Sequence, residues 1–366
     1  MLEIEESKEY VTVALIIHGE PPKIKETERS LRDQTYKHIH IICLDDGTSP
    51  NAIKYLKSQR DLKIYDMPKH CNISHAKNFA LKYSEDKFVF LLDDHIILGN
   101  NSVEEGMKIF SQFSYIIGVC GHYRSAALND YNLLRDIKRE TIYDKNDKER
   151  FITLDNFTTF STGIAIIKKD AFLNLVFPEE LFPTNFGGED VPALITTLNQ
   201  GKIFYYTPKM RGVHEHNLNL MDFIKKMEVE IRGRFSLLYW ASNNPGIKIP
   251  YLYGFLSFPY FFIISLITCI PLSFINKYVF FIPLSAVLTE IFLSLKTFSS
   301  SVNVPWIYKL KASIFILSSD LLSVICFIQY LFSSYKRPYK TLGIKRFVII
   351  NRIFFRWELK KYGIIK

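Results

Sequence analysis

Cysteine is scarce in this sequence. The five residues Cys43, Cys71, Cys120, Cys269 and Cys326 are odd in number, widely scattered and without a CxxC pair. Neither a disulfide framework nor a zinc site is indicated. An apolar targeting segment is missing from the acidic start, MLEIEESKEYVTV, so nothing marks the first part of the chain for export and it is expected in the cytosol. Internal repeats and low-complexity tracts are absent. Charge is missing from the 28 consecutive residues between Lys248 and Lys277, a run long enough to cross a bilayer. Acidic charge is nearly missing from residues 336–366, where ten Lys and Arg face Glu358 alone.

These absences divide the chain by composition. Residues 1 to about 245 carry charges throughout, with apolar stretches of strand length, as in a soluble α/β domain. Beyond Pro250 the uncharged run is followed by Tyr278–Leu295, interrupted by Glu290, and Ala312–Tyr335, interrupted by Asp320. A buried core helix explains any one of these, but three in series point to a membrane region. On a helix, Phe347, Ile350, Phe354 and Trp357 of the tail fall opposite Lys345, Arg352, Arg356 and Lys360, the pattern of a helix lying on an anionic membrane surface. The neighbouring apolar runs favour membrane lipids over nucleic acid as the partner of this basic tail. Three complete spans would place it across the membrane from the first domain, against the positive-inside tendency, so one run is expected to be re-entrant or interfacial.

In the first domain, strands are expected at Val11–Ile17, Ile39–Leu44, Leu62–Tyr65 and Phe88–Leu92. They alternate with helices at Lys25–Gln34, at 51–60 and at Ser74–Tyr83, the last capped by Ser74. Such alternation implies a mostly parallel sheet with helices on both faces, binding its ligand at the carboxyl edge of the strands. Two acidic groups stand at that edge. Asp45-Asp46-Gly47 reads equally as a turn or as carboxylates for a nucleoside's hydroxyls and N–H groups. Asp93, Asp94 and His95 end an apolar strand, and carboxylates beside an imidazole gain most if a cation lies between them. That donor set suits Mn²⁺ better than Mg²⁺.

The ordered set SLRDQTYKHIHIICLDDGTS, NISHAKNFAL, FLLDDH, STGIAIIKKDAF and FGGEDVPALITTLNQG resembles the inverting nucleotide-sugar glycosyltransferases of family 2 across roughly residues 10–220. The resemblance implies a GT-A type, Rossmann-like catalytic domain over residues 1–220 and a UDP- or GDP-sugar donor. An amphipathic interface helix and linker (221–248), transmembrane helices (249–335) and the basic tail (336–366) would follow. Asp45, Asp46, Asp94, Lys77, Asn78, Gly187 and Gly188 then become substrate-binding candidates, with Lys77 standing where the family usually has Arg. FLLDDH takes the place of the family's Asp-x-Asp metal motif but ends in His95. A sister group acting on polypeptides uses Asp-x-His with a distant second His, and His214 and His216 of GVHEH offer one. The metal set is thus expected from Asp93, His95 and one of these two.

Glu189 and Asp190 open the last helix of the set, and Asp190 is the expected general base, with helix capping as its alternative role. On the following segment, Arg232 and Arg234 either reach donor or lipid phosphates or form a solvated face. The resulting expectation is an integral membrane enzyme with its catalytic domain facing the cytosol, acting on a lipid-linked saccharide. Two alternatives stay open: a polyprenyl-phosphate glycosyl synthase, and a non-catalytic nucleotide-sugar-binding membrane subunit. The Gln-x-x-Arg-Trp signature of processive polysaccharide synthases is absent.

Overall fold

The computed structural model describes residues 9–19, 23–59, 61–68, 72–125, 148–155, 160–172, 177–179 and 189–214, together with residues 244, 246, 247, 288, 306, 307 and 310. The chain divides into two compact units, Met1–Phe223 and Ile224–Lys366. In the second unit the described residues include Asn244 and Ile247, joined by a backbone hydrogen bond of 3.1 Å. Among the described residues no helix is long and apolar enough to cross a membrane. The apolar runs expected to do so, and the basic tail, lie almost wholly outside the described residues. So do Gly187, Gly188, His216, Arg232 and Arg234.

Among the described residues the first unit is built on a nine-stranded sheet. Its strands are β1 (Val11–Gly19), β2 (Ile39–Thr48), β3 (Leu62–Asp66), β4 (Phe88–Asp93), β5 (Ile96–Leu98), β6 (Gly118–Ser125), β7 (Arg150–Ile152), β8 (Ile164–Lys168) and β9 (Phe204–His214). The helices are α1 (Ile24–Arg32), α2 (Pro50–Lys57), α3 (Ile73–Tyr83), α4 (Ser102–Gln112), α5 (Lys169–Phe172) and α6 (Asp190–Asn199). The strand order is β3-β2-β1-β4-β8-β6-β9-β5, with β7 on β9.

β1 is an interior strand, and its seven consecutive residues Val11–Ile17 are buried on both faces. Val11, Val13, Leu15 and Ile17 share one core with Leu31 of α1, Leu56 of α2 and Met107 of α4. The other face is covered by α3, which packs on β1 and β4. The chain steps from β1 to β2 to β3 in one direction and then back across β1 to β4, so right-handed crossovers place α3 opposite α1 and α2.

The sheet is mixed, which corrects the expectation of a mostly parallel one. The pairings β1–β2, β1–β4, β2–β3 and β6–β9 are parallel, but β4–β8, β6–β8, β5–β9 and β7–β9 are antiparallel. A strand buried on both faces, such as β8, reads as a continuous apolar run whichever way it points. A second correction concerns α3, whose cap is Asn72, with its side chain accepting the His75 N–H at 2.9 Å; Ser74 is buried in the first turn.

Candidate active site

The strand order reverses at β1, with β2 on one side and β4 on the other. Crevices outside the carboxyl ends of strands at such a switch point are where open α/β sheets bind ligands. Ile17 is in register with Asp45 of β2, and Ile16 with Asp93 of β4. Both acidic groups expected from the sequence therefore flank the end of β1.

Asp93, His95 and His214 converge, with one ligand atom from each lying within 4.8 Å of the others. The local folding explains how. After β4 the chain turns through Asp94 and His95 into β5, which runs antiparallel to the end of β9 and pairs Ile96 with His214. His95 Nε2 then stands 2.9 Å from His214 Nε2. His214 is buried, and its ring stacks on Tyr123 with centroids 4.9 Å apart. The donor set fits a divalent ion of the Mn²⁺ or Zn²⁺ kind, since one carboxylate and two imidazoles suit it. The two Nε2 atoms, 2.9 Å apart, are close enough that both would reach one ion.

Asp94 does not join this trio. Its Oδ1 lies 2.6 Å from His95 Nδ1, and its Oδ2 accepts the backbone N–H of His18 at 3.1 Å. Its expected place on a substrate is thus taken up by protein contacts. His18, not singled out from the sequence, also sets its Nδ1 2.7 Å from the Asp46 carbonyl. Asp46 itself is buried, and Asp45 Oδ1 accepts the Thr48 N–H at 2.7 Å, the turn-forming role weighed for this pair.

Beside the trio lies a buried charge cluster. Lys77 Nζ donates to Thr162 Oγ1 at 2.6 Å, Glu189 Oε1 at 2.5 Å and Asp190 Oδ1 at 2.6 Å, which occupies all three of its N–H donors. Asp190 Oδ1 also accepts the Thr162 hydroxyl at 2.5 Å, and its Oδ2 accepts the Thr162 backbone N–H at 3.1 Å. Burial disfavours the Lys77 charge, yet Asp190, Glu189 and Asp93 together hold its pKa above the ordinary value. Burial pushes Glu189 up to about 7, opposed by Lys77 and reinforced by Asp190. For Asp190 burial acts in the same direction but loses to Lys77 and Thr162, so this carboxyl lies below its ordinary value. Neighbouring acids with pKa values driven apart mark groups suited to different roles.

One dipeptide at the entry to β8 joins the two clusters. Thr162 holds Asp190, while Gly163 backs Asp93: the Gly163 carbonyl accepts the Asp93 N–H at 3.2 Å, and a Cβ on Gly163 would collide with the Asp93 carboxylate. Neither Thr162 nor Gly163 was singled out from the sequence, although both lie in the STGIAIIKKDAF stretch.

Lys77 and Asn78 were expected to meet substrate. The structure instead spends Lys77 on the acid pair. Asn78 staples the segment before Glu189 to α3, donating to the Phe177 carbonyl at 2.9 Å and Glu179 Oε1 at 2.8 Å and accepting the Phe177 N–H at 2.8 Å. His75 Nδ1, 2.9 Å from Glu179 Oε2, and Asn72 Nδ2, donating to the Glu179 carbonyl at 2.6 Å, complete that clamp.

Residues 12–175 match the family described as Glycosyl transferase family 2. An uncharacterized glycosyltransferase of Haemophilus influenzae is 22% identical over 218 residues, covering 58% of this chain and 78% of that protein. The minor teichoic acid biosynthesis protein GgaB of Bacillus subtilis is 23% identical over 177 residues, 46% of this chain but only 19% of its own length. Among solved structures, the mannosyltransferase PcManGT from Pyrobaculum calidifontis, in complex with GDP-Man and Mn²⁺, matches with a TM-score of 0.51 at 16% identity. That match covers 96% of this chain and 88% of the other, and at such identity it bears on the fold alone.

Proposed function

The chain is a glycosyltransferase with a GT-A type fold, and from that premise we propose that it moves a sugar from a UDP- or GDP-sugar to a hydroxyl of a lipid-linked saccharide, with inversion and with a divalent metal, Mn²⁺ in preference to Mg²⁺. The observation that carries this reading is the Thr162-Gly163 junction, where three metal-ligand candidates and a polarised pair of acids meet at the switch point of the sheet.

Sugar transfer passes through an oxocarbenium-like state while a nucleoside diphosphate departs. Asp93, His95 and His214 would hold the ion; when bound there, it supplies charge neutralisation for the departing diphosphate. Asp190 suits the base: Lys77 and Thr162 keep it ionised, and its Oδ2 accepts one backbone N–H, which leaves a lone pair for a proton from the acceptor hydroxyl. Of the two acids it is also the more open, 17% exposed against 9% for Glu189. Lys77, 3% exposed, balances the pair and takes no proton itself. This intact arrangement favours an active enzyme over a non-catalytic sugar-nucleotide-binding subunit.

The lipid-linked acceptor and the membrane anchor are supported by the uncharged run after Lys248 and by the basic tail. A catalytic domain facing the cytosol is part of the same proposal. A polyprenyl-phosphate acceptor is the second candidate, and Asp190 separates the two. A hydroxyl is a weak nucleophile, so Asp190→Asn should slow its glycosylation by about 10²–10⁴-fold. A phosphate already carries negative charge and needs little help from a base. Single-turnover transfer to each acceptor, with product anomer and mass determined, tests the proposal. Wild-type rates of Asp190→Asn toward every acceptor would remove Asp190 from the mechanism, and a retained anomeric configuration would overturn inversion.

A further inference from the structure

The middle residue of the Asp93-Asp94-His95 triplet has no place in the trio, and its surroundings say what it does instead. We propose that Asp94 is a positioning residue for the metal centre, fixing His95 in the tautomer whose Nε2 lone pair faces Asp93 and His214. The proposal rests on the metal reading above.

His95 Nε2 faces the Nε2 of His214 at 2.9 Å, and its Nδ1 faces Asp94 Oδ1 at 2.6 Å. An ionised carboxylate only accepts hydrogen bonds, so Nδ1 must carry the proton. A neutral ring protonated at Nδ1 presents a lone pair at Nε2, which is the atom that points into the trio. A buried carboxylate on the far nitrogen also makes the imidazole a stronger ligand, as carboxylate partners of metal-bound histidines do.

Asp94 is built to stay where it is. It is buried, and its second oxygen is tied to the backbone N–H of His18 at the end of β1. Swinging it onto an ion or a sugar would break both hydrogen bonds and strand the His18 N–H. His18 is in turn fixed by the contact of its Nδ1 with the Asp46 carbonyl. The orientation of His95 is thereby tied through Asp94 to β1, an interior strand of the sheet buried on both faces, rather than to the turn alone.

The test is calorimetric titration of Mn²⁺ into the donor-free, full-length protein. Removing a carboxylate that orients a metal-bound histidine should weaken the ion by about 10–100-fold. Asp94→Asn, which keeps an acceptor oxygen, belongs at the low end and Asp94→Ala at the high end. In a His95→Asp background there is no ring to orient, so adding Asp94→Asn should cause no further loss. Unchanged Mn²⁺ affinity in Asp94→Asn overturns the proposal and leaves the metal reading intact. So does an equal loss in the His95→Asp background, which would reveal a merely structural role. Failure of the wild type to bind Mn²⁺ in a manner sensitive to Asp93→Asn overturns both. Should the Asp94 variants not fold, the ring nitrogen shifts of His95 in the metal-free wild type at pH 8 decide. A proton on Nδ1 is expected, and a proton on Nε2 alone refutes the assignment.

Discussion

Lys77 Nζ lies 2.6 Å from Asp190 Oδ1 and is 3% exposed, so the charge that holds the proposed base sits inside the protein rather than at its surface. The same ammonium serves Glu189, giving a cluster of two acids and one cation. Removing one member of such a buried set leaves an uncompensated charge.

Lys77→Met is therefore expected to destabilise the protein by about 3–5 kcal/mol, read as a lowered midpoint of urea unfolding. Lys77→Arg, which keeps the charge, should lose markedly less. Equal losses in the two variants would show that fit rather than charge balance dominates.

Glu189 gives the stability a pH signature. Its folded value is raised from 4.5 to about 7, with burial as the first cause. The folded state therefore holds this proton more tightly than the unfolded chain does. The associated stability is fully present below about pH 4.5 and is lost as pH rises through about 7. Asp190 works in the opposite sense, adding stability above its ordinary 3.8 that is lost as pH falls through its lowered folded value. Wild-type stability should thus decline between pH 4.5 and 7 by on the order of 1 kcal/mol per unit, and Glu189→Gln should flatten that decline. Urea titrations of both proteins across this range make the comparison.

How much of this was legible in the sequence depends on the kind of interaction. Strands β1, β2 and β4 are apolar runs, β2 and β4 closed by acidic residues, and the periods alone placed them along with the helices between them. Strand direction was not legible, because the both-face burial of β8 carries no arrow. Asn72 and Ser74 are equally good caps by type. Asn72 wins through its contact with the Glu179 carbonyl, more than a hundred residues away. The charge cluster was hidden for the same reason: Lys77 meets Glu189 and Asp190 across 112 and 113 residues, and nothing local marks which helix face it occupies. The metal candidates Asp93 and His95 were visible because they are adjacent to a strand end. Of the two histidines in GVHEH, His214 ends a strand that the spacing did not delimit.

Gly163 supplies a steric test of the site. A methyl group there would collide with the Asp93 carboxylate, to which all three of the nearest atoms belong, and would push it from its present place. Gly163→Ala should cost about 1–3 kcal/mol of stability from overpacking and lower Mn²⁺ affinity at least tenfold. Unchanged Mn²⁺ affinity would mean that Asp93 does not ligate through its present position.

The central claim is that a nucleotide-sugar is broken at the switch point with help from Asp93, His95 and His214. It is tested most directly by the release of nucleoside diphosphate when the purified protein, with native lipid extract, is offered a panel of UDP- and GDP-sugars. Release is expected from one class of donor, abolished by chelator, restored best by Mn²⁺, and reduced severely in His95→Ala and His214→Ala alike. Release that survives chelation, or that both histidine variants sustain at the wild-type rate, would contradict the claim.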